Sequence, residues 1–309
     1  MSTEANEFVE VMTMATVRET ERVGSPVRVE SLRSSSPLRR WRVEHSLTLA
    51  IASLMVVTAA AGLFIDGLYK DGAWAREALR GGDLTTVLLV VPILIGAMLL
   101  SVRGSRKAQV VWVGALAYSV YNYAYYVFGS AFNDIFLLHI AVLAASLWAG
   151  ALMIANLDVS TVAAVFPRAR GHRWVGAYLV LVGVVLGGLW TTLAIRFALT
   201  GKLMADIPRN AVHLVFAIDL ALLVPALIVA GALLWRGSSA GVVFGAAMAV
   251  MGALYQVNLL VAGVFQASAD VPGAKAFPIE GVAVAAGFAL ASVYLLAQGA
   301  RDQKERSKR

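Results

Sequence analysis

Apolar residues along the chain gather into eight long runs that are separated by short polar segments. A helix of roughly 20 apolar residues crosses about 30 Å of hydrocarbon. Open strands would leave backbone groups unpaired in lipid, so helices are the structure expected. The pattern predicts an all-α, polytopic integral membrane protein with eight transmembrane helices. The predicted spans are residues 47–69, 84–103, 108–129, 133–157, 174–198, 212–235, 240–266 and 280–298.

The composition agrees with this pattern and removes several classes of chemistry. Hydrophobic residues make up 59% of the 309 positions and charged residues only 15%, so lipid must be the solvent of most of the chain. The chain has no cysteine, which excludes disulfides and thiolate ligands. Its four histidines are scattered and do not form the clusters that zinc or di-iron sites need. We therefore predict no metal and no cofactor.

The two ends of the chain differ from the apolar centre. Residues 1–45 are charged and rich in serine, which predicts a disordered cytoplasmic tail. A secretory signal is not expected, because the first apolar run begins near residue 47 and has full spanning length. Residues 300–309 form a short basic tail that is also expected in the cytoplasm. The predicted eight-helix domain occupies residues 46–299.

Lysine and arginine are unequally divided between the two sides of the predicted bundle. Of the 26 basic residues, 17 flank the membrane on the side of the termini and seven lie opposite, while Arg18 and Arg22 lie farther out in the tail. By the positive-inside rule, both termini face the cytoplasm. The net charge of +7 thus reflects orientation in the lipid bilayer, and no nucleic-acid partner is predicted. Usage rich in Ala, Val, Gly and Arg is typical of a bacterial inner-membrane protein.

Two distant segments of the chain resemble each other. LLVVPILIGAMLLSVRGS at residues 88–105 matches LLVPALIVAGALLWRGSS at residues 222–239, with proline and arginine eleven residues apart in both. An aromatic-amide pair follows each segment, Tyr121–Asn122 in one case and Tyr255–Gln256 in the other. The offset is four spans, an even number, so both halves would insert in the same direction. The sequence therefore predicts a parallel 4+4 internal repeat.

Five polar side chains from four predicted spans fall at similar depths. At 1.5 Å per residue, they lie about 9–15 Å below the outer ends of their helices. An ionisable group at this depth costs several kcal/mol unless it is paired or hydrated. The layer therefore predicts either a hydrogen-bonded cluster between packed helices or an outward-facing polar cavity for a small solute or ion. The five residues are Asn122, His139, Asp219, Gln256 and Asn258.

The cavity interpretation gives each polar residue a role. Asp219 would hold a cation or proton and tune His139, while the three amides would contact the solute. Pro92 and Pro225 lie in the middle of the two similar helices, where each removes a backbone hydrogen bond. We therefore predict gating kinks at both prolines.

Aromatic residues are dense in the stretch VYNYAYYVFGSAFNDIFLLH, residues 120–139, which is predicted to be a helical hairpin at the outer face. Tyrosines at such a helix end are typical of the aromatic belt at the lipid headgroups. Anchoring is therefore the predicted role of Tyr125 and Tyr126. Trp190 lies within another span, and the prediction there is apolar bulk against lipid or core.

Three function classes are compatible with these features. A permease or carrier for a small solute or ion is favoured by the repeat, the prolines and the polar layer. A non-transporting sensor or accessory subunit would use the charged tail to contact a partner. An enzyme acting on a lipid-borne substrate would use His139 and Asp219 as acid and base, but no second carboxylate, metal cluster or nucleophile is expected nearby. We therefore favour the carrier, and an enzyme is the weakest of the three predictions.

Overall fold

The fold is taken from a computed structural model that describes residues 37–166, 171–202 and 209–298. Side chains are described from residue 43 in the first range and from residue 213 in the third. The chain divides into two units, Met1–Arg42 and Val43–Arg309. Of the predicted N-terminal tail, residues 1–36 lie outside the described residues, whereas residues 37–45 are helical. The predicted C-terminal tail, residues 300–309, also lies outside the described residues.

Helices form all the regular structure in the described ranges. They are α1 (Pro37–Phe64), α2 (Ala73–Thr85, Thr86–Val90 and Val91–Val102), α3 (Arg106–Phe128), α4 (Phe136–Asn156), α5 (Val159–Ala163), α6 (Gly171–Thr200), α7 (Arg209–Ile218, Asp219–Leu223 and Val224–Trp235), α8 (Ser239–Ser268) and α9 (Ile279–Ala297). The middle segment of α2 and of α7 is a π-helical turn. The all-α prediction is confirmed for this part of the chain.

Seven of the described helices are long and apolar enough to cross a membrane. They are Val43–Phe64, Ala73–Val102, Phe136–Asn156, Gly171–Thr200, His213–Trp235, Ser239–Ser268 and Ile279–Ala297. The chain is therefore a multi-pass helical membrane protein. The predicted span 108–129 is also helical, as α3, but it is not among the seven. Tyrosine, asparagine and basic side chains lower its apolar content. Its side chains Trp112, Tyr118 and Tyr123 are at most 1% exposed, so α3 runs through the protein interior.

The second helix begins eleven residues earlier than its predicted start at residue 84, at Ala73 (84 to 73). Its first segment carries basic residues, which the hydropathy pattern assigns to a loop. Arg76 and Arg80 both pair with the buried carboxylate of Glu77, at N–O distances of 3.0 and 3.4 Å. A Cβ atom at Gly81 would lie 2.6 Å from the Cα atom of Ala262, so this segment lies directly against α8. This segment is thus stabilised by packing against protein. A helix that faced lipid would need apolar residues at the same positions.

The turns that join α2 to α3 and α7 to α8 have the same construction. A glycine with positive φ closes the first helix in each, Gly104 at 88° and Gly237 at 70°. The next residue is a serine, Ser105 or Ser238, whose side-chain oxygen accepts a hydrogen bond from the backbone N–H three residues later. These matching positions lie 133 residues apart (104 to 237).

The π-helical turns of α2 and α7 follow the same offset. In α2 the backbone N–H of Val91 donates to the backbone carbonyl oxygen of Thr86. In α7 the N–H of Val224 donates to the backbone carbonyl oxygen of Asp219, so the acceptor lies five residues back in each case. A proline is the second residue of the α-helical segment that follows, at Pro92 and Pro225. Proline has no N–H to donate to the preceding turn, and a wider turn accommodates that loss without ending the helix. Both predicted kink positions are therefore sites of irregular helix geometry.

Helices α3 and α8 cross at the centre of the bundle. A Cβ atom at Gly114 would lie 2.7 Å from the carbonyl oxygen of Ala247, so the two backbones nearly touch there. Ala247 is 3% exposed and its neighbour Ala246 is fully buried. Small residues at a crossing point allow the close van der Waals packing that holds membrane helices together.

Candidate functional site

The polar side chains that line the candidate site lie towards one end of the bundle. At that end the loop after α1 contacts the loop after α3, through Lys70–Asp134 at 3.7 Å and through the Ala131 N–H, which donates to Asp71 at 2.9 Å. The end of α8 joins the same region, because the Gln266 side chain donates to the carbonyl oxygen of Trp74 at 2.8 Å. These contacts bring the start of α2 and the ends of α3 and α8 together around two cavities.

Asp219 is the acidic residue among the described side chains that line the larger cavity. It is the first residue of the π-helical turn in α7 and is only 3% exposed. The Trp190 indole N–H, from α6, donates to Oδ2 at 2.7 Å, and the Tyr121 hydroxyl, from α3, donates to Oδ1. A buried carboxylate needs such donors, because an unsatisfied charge in this environment is costly. Three helices therefore meet at one carboxylate.

The cavity beside Asp219 has a volume of about 290 Å³. Known small-molecule pockets occupy roughly 300–1,000 Å³, so this one suits a small ligand. Gln256 supplies an amide to its wall, and apolar side chains of α6 to α9 supply most of the rest. The aromatic residues of the wall are Trp74, Trp190, Phe216, Tyr255 and Phe288.

A smaller cavity of about 140 Å³ adjoins the first, and the two share Trp74 and Tyr255 as lining residues. Asn122 and Asn258 line it and are 4% and 7% exposed. The Asn258 amide donates to Asn122 Oδ1 at 3.3 Å. Asn122 Nδ2 and Asn258 Oδ1 have no hydrogen-bond partner in the described part of the structure. The pair thus offers one free donor and one free acceptor beside the cavity.

A second buried aspartate, Asp83, is not apparent from the hydropathy pattern, because the predicted second span begins one residue after it. It is 1% exposed and accepts hydrogen bonds from the hydroxyls of Tyr69 at 2.7 Å and Tyr126 at 3.0 Å. Burial and the neighbouring Asp83 raise the pKa of Tyr69, which lies in the loop after α1, above its ordinary value. An amphipathic pattern in AWAREALRGGDLT was the signal that could have placed Asp83 within a helix.

His139 lies beside the Asp83 cluster and apart from Asp219. Its ring centroid is 4.8 Å from that of Tyr126 and 6.0 Å from that of Tyr123. The imidazole is fully buried, and neither ring nitrogen has a hydrogen-bond partner among the described residues. The predicted pairing of His139 with Asp219 therefore has no support in the geometry, whether as a tuned site or as an acid-base pair.

The structure thus brings the other four predicted residues together in two pairs, Asn122 with Asn258 and Asp219 with Gln256, in adjoining cavities. Of the two tyrosines predicted as headgroup anchors, Tyr126 has a different role, whereas Tyr125 is half-buried and its hydroxyl shares a hydrogen bond with that of Tyr121 at 3.0 Å. Tyr126 is 2% exposed and bonds to Asp83. Trp190 is likewise a hydrogen-bond donor to Asp219. One tyrosine-rich helix therefore contacts both Asp83 and Asp219.

No family model, curated protein or solved structure matches the chain. The described residues contain no group of three or more histidine, cysteine, aspartate or glutamate side chains arranged to hold a metal ion.

Proposed function

We propose that the protein is a permease or carrier for a small solute or cation, which binds in the cavity beside Asp219. The observation that carries this proposal is the cavity itself: a buried carboxylate, held by neutral donors from two other helices, lines an opening of about 290 Å³. Ionisable groups within membrane spans generally mark substrate or ion pathways.

The proposed topology has eight spans, with α3 as the eighth. The loop after α3 contacts the loop between α1 and α2, whereas α3 begins at the far end of α2, so α3 runs from one end of the bundle to the other. Both termini are then cytoplasmic, as the distribution of basic residues predicts for a bacterial inner membrane. The end of the bundle that holds the two cavities faces outwards in this arrangement.

A parallel 4+4 repeat is part of the proposal. Its support is the set of features shared at one offset: the π-helical turns, the prolines that follow them and the closing glycine-serine turns. Asp219 belongs to the second half, and one of its donors, Tyr121, belongs to the first. Carriers built from repeats bind substrates between the repeats, at helices with interrupted geometry. The Asp219 site has both properties.

Pro92 and Pro225 are proposed as hinge positions of the transport cycle. A π-helical turn already departs from regular α-helical hydrogen bonding, and such turns occur frequently at functional sites. Because Asp219 begins the turn that precedes Pro225, a change in that turn would move the carboxylate directly.

Cysteine accessibility tests whether the polar layer is reached by water. The chain has no native cysteine, so Asn122→Cys and Gln256→Cys can each be treated in intact cells with a membrane-impermeant thiol reagent. We expect both to react, because the reagent requires water and thiolate. The matched control is Ser119→Cys in the same helix, which is fully buried, lines neither cavity and should stay unlabelled. Folded protein in which neither cavity position reacts would rule out an outward-open cavity.

The sensor alternative depends on residues 1–40, most of which lie outside the described residues. It stays a prediction, and no contact in the described part favours it over a carrier.

A further inference from the structure

We infer that the cavity beside Asp219 selects an organic ammonium ion, with its charge towards Asp219 and its alkyl groups against the aromatic wall. As a statement about the transported solute, this inference rests on the proposed carrier function. As a statement about binding, it can be tested on the purified protein alone.

The first observation concerns the groups that surround the Asp219 carboxylate. Among the residues whose side chains the structure describes, neither cavity is lined by a lysine, arginine or histidine. The two groups bonded to Asp219 are a phenol and an indole, which stabilise a carboxylate without cancelling its charge. A charge in a medium of low polarity is costly unless an opposite charge accompanies it. A cationic ligand is therefore the natural partner for this carboxylate.

The second argument is the aromatic wall, which favours an organic cation over a metal ion. Trp190 and Phe216 stack with ring centroids 4.6 Å apart, and Tyr255 stands edge-on to Tyr121 at 4.8 Å. Aromatic faces attract ammonium groups through cation–π interactions, most strongly when water is excluded. Calcium needs six or more oxygen ligands, whereas this wall offers chiefly one carboxylate and the Gln256 amide.

The third argument concerns size and the polar end of the ligand. A cavity of about 290 Å³ fits an ammonium ion with short substituents and excludes a lipid-sized molecule. Beyond Tyr255 lie Asn122 Nδ2 and Asn258 Oδ1, both buried and without a hydrogen-bond partner in the described part of the chain. A hydroxyl group on the ligand would satisfy both. The site therefore favours a small hydroxyalkyl-ammonium ion.

The decisive experiment compares two probes of nearly identical shape on the purified full chain in lipid nanodiscs. Choline carries a quaternary nitrogen where 3,3-dimethylbutanol carries a neutral carbon. We expect choline to bind, with quenching of tryptophan fluorescence and heat released in calorimetry, and the neutral alcohol to bind at least tenfold more weakly. Equal affinity for the two probes, or no binding of choline, would overturn the inference. This comparison uses the wild-type protein and so does not depend on the folding of any variant.

Variants then assign the binding to this cavity. Asp219→Asn and Trp190→Leu should each weaken choline binding at least tenfold, because one removes the charge and the other an aromatic wall. Trp148→Leu is the matched control, since Trp148 is 63% exposed on the outside of α4, and it should bind choline as wild type does. Unchanged affinity in the folded Asp219→Asn protein would place the binding elsewhere and contradict the inference.

Transport in proteoliposomes separates the two proposals. Choline that binds at Asp219 but is not taken up would support the ammonium site and contradict the carrier. Uptake of a neutral solute by protein that does not bind choline would support the carrier and contradict the ammonium site. Choline uptake that is lost in Asp219→Asn would support both.

Discussion

Each of the two buried aspartates is bonded to neutral donors in the described part of the structure. Asp219 accepts from a phenol and an indole, and Asp83 accepts from two phenols. Hydrogen bonds to a charged group contribute more than those between neutral groups, so these donors are important for keeping the carboxylates inside the protein. The density of tyrosine in α3 is thus explained by the carboxylates of neighbouring helices.

Removing one such donor should be measurable. Tyr121→Phe deletes the hydroxyl bonded to Asp219 while keeping the ring, and we expect the free energy of unfolding to fall by about 1–3 kcal/mol. Denaturation of the detergent-solubilised protein, followed by circular dichroism, would measure the change. Tyr294→Phe is the control, because Tyr294 is 37% exposed, and its stability should match wild type. Equal stability of the two variants would mean that the Tyr121 hydroxyl does not stabilise Asp219.

The sequence predicts how deep a residue lies in the membrane, but it does not predict which side chains that residue contacts. Counting along an apolar run places Asp219 and Asn258 below a helix end. Their partners depend on how each helix is rotated about its axis, and a helix that is apolar on all sides carries little information on rotation. For this reason the sequence grouped His139 with Asp219, whereas the fold turns His139 towards Tyr126.

Among the elements, α2 contains a helical segment that the hydropathy pattern does not predict. Its apolar segment was predicted, but the preceding thirteen residues, Ala73–Thr85, are helical because they pack against α8. A mean over polar and apolar positions cannot detect a helix whose buried face combines glycines with two carboxylates, Glu77 and Asp83. From α3 onwards the predicted spans match the helices to within three residues at each end, since lipid on their outer faces requires continuous apolar sequence. The first helix, Pro37–Phe64, begins ten residues before the predicted span 47–69 and ends five residues before that span ends.

Two glycines of α2 offer a matched test of that packing. Alanine at Gly81 would place its Cβ 2.6 Å from the backbone of Ala262, whereas alanine at Gly96 would have no atom within 4 Å. We expect Gly81→Ala to lower the thermal midpoint, because neither backbone can move aside without separating α2 from α8. Gly96→Ala should be neutral or slightly stabilising, since alanine favours a helix by roughly 0.5–1 kcal/mol over glycine. A thermal midpoint for Gly81→Ala equal to that of Gly96→Ala would argue against the close contact.

At the scale of the whole molecule, the proposed orientation follows from basic residues in the loops and can be tested there. Asp134→Cys lies in the loop after α3, with a side chain that is 84% exposed in the native protein. Ser160→Cys lies in the exposed segment after α4, on the opposite side in the proposed topology. We expect an impermeant thiol reagent to label the first in intact cells and the second only after the cells are opened. The reverse pattern would place both termini outside.

The offset of 133 residues between the matching features of the proposed repeat (104 to 237) has a consequence for the number of ligands that one chain binds. The π-helical turn of α7 begins with Asp219, whereas the corresponding turn of α2 begins with Thr86, a buried hydroxyl. If the halves descend from a duplicated ancestor, they have diverged at the position that carries the charge. We therefore expect one cation per chain and not two, so that a binding isotherm measured on the purified protein should saturate at a molar ratio of about one.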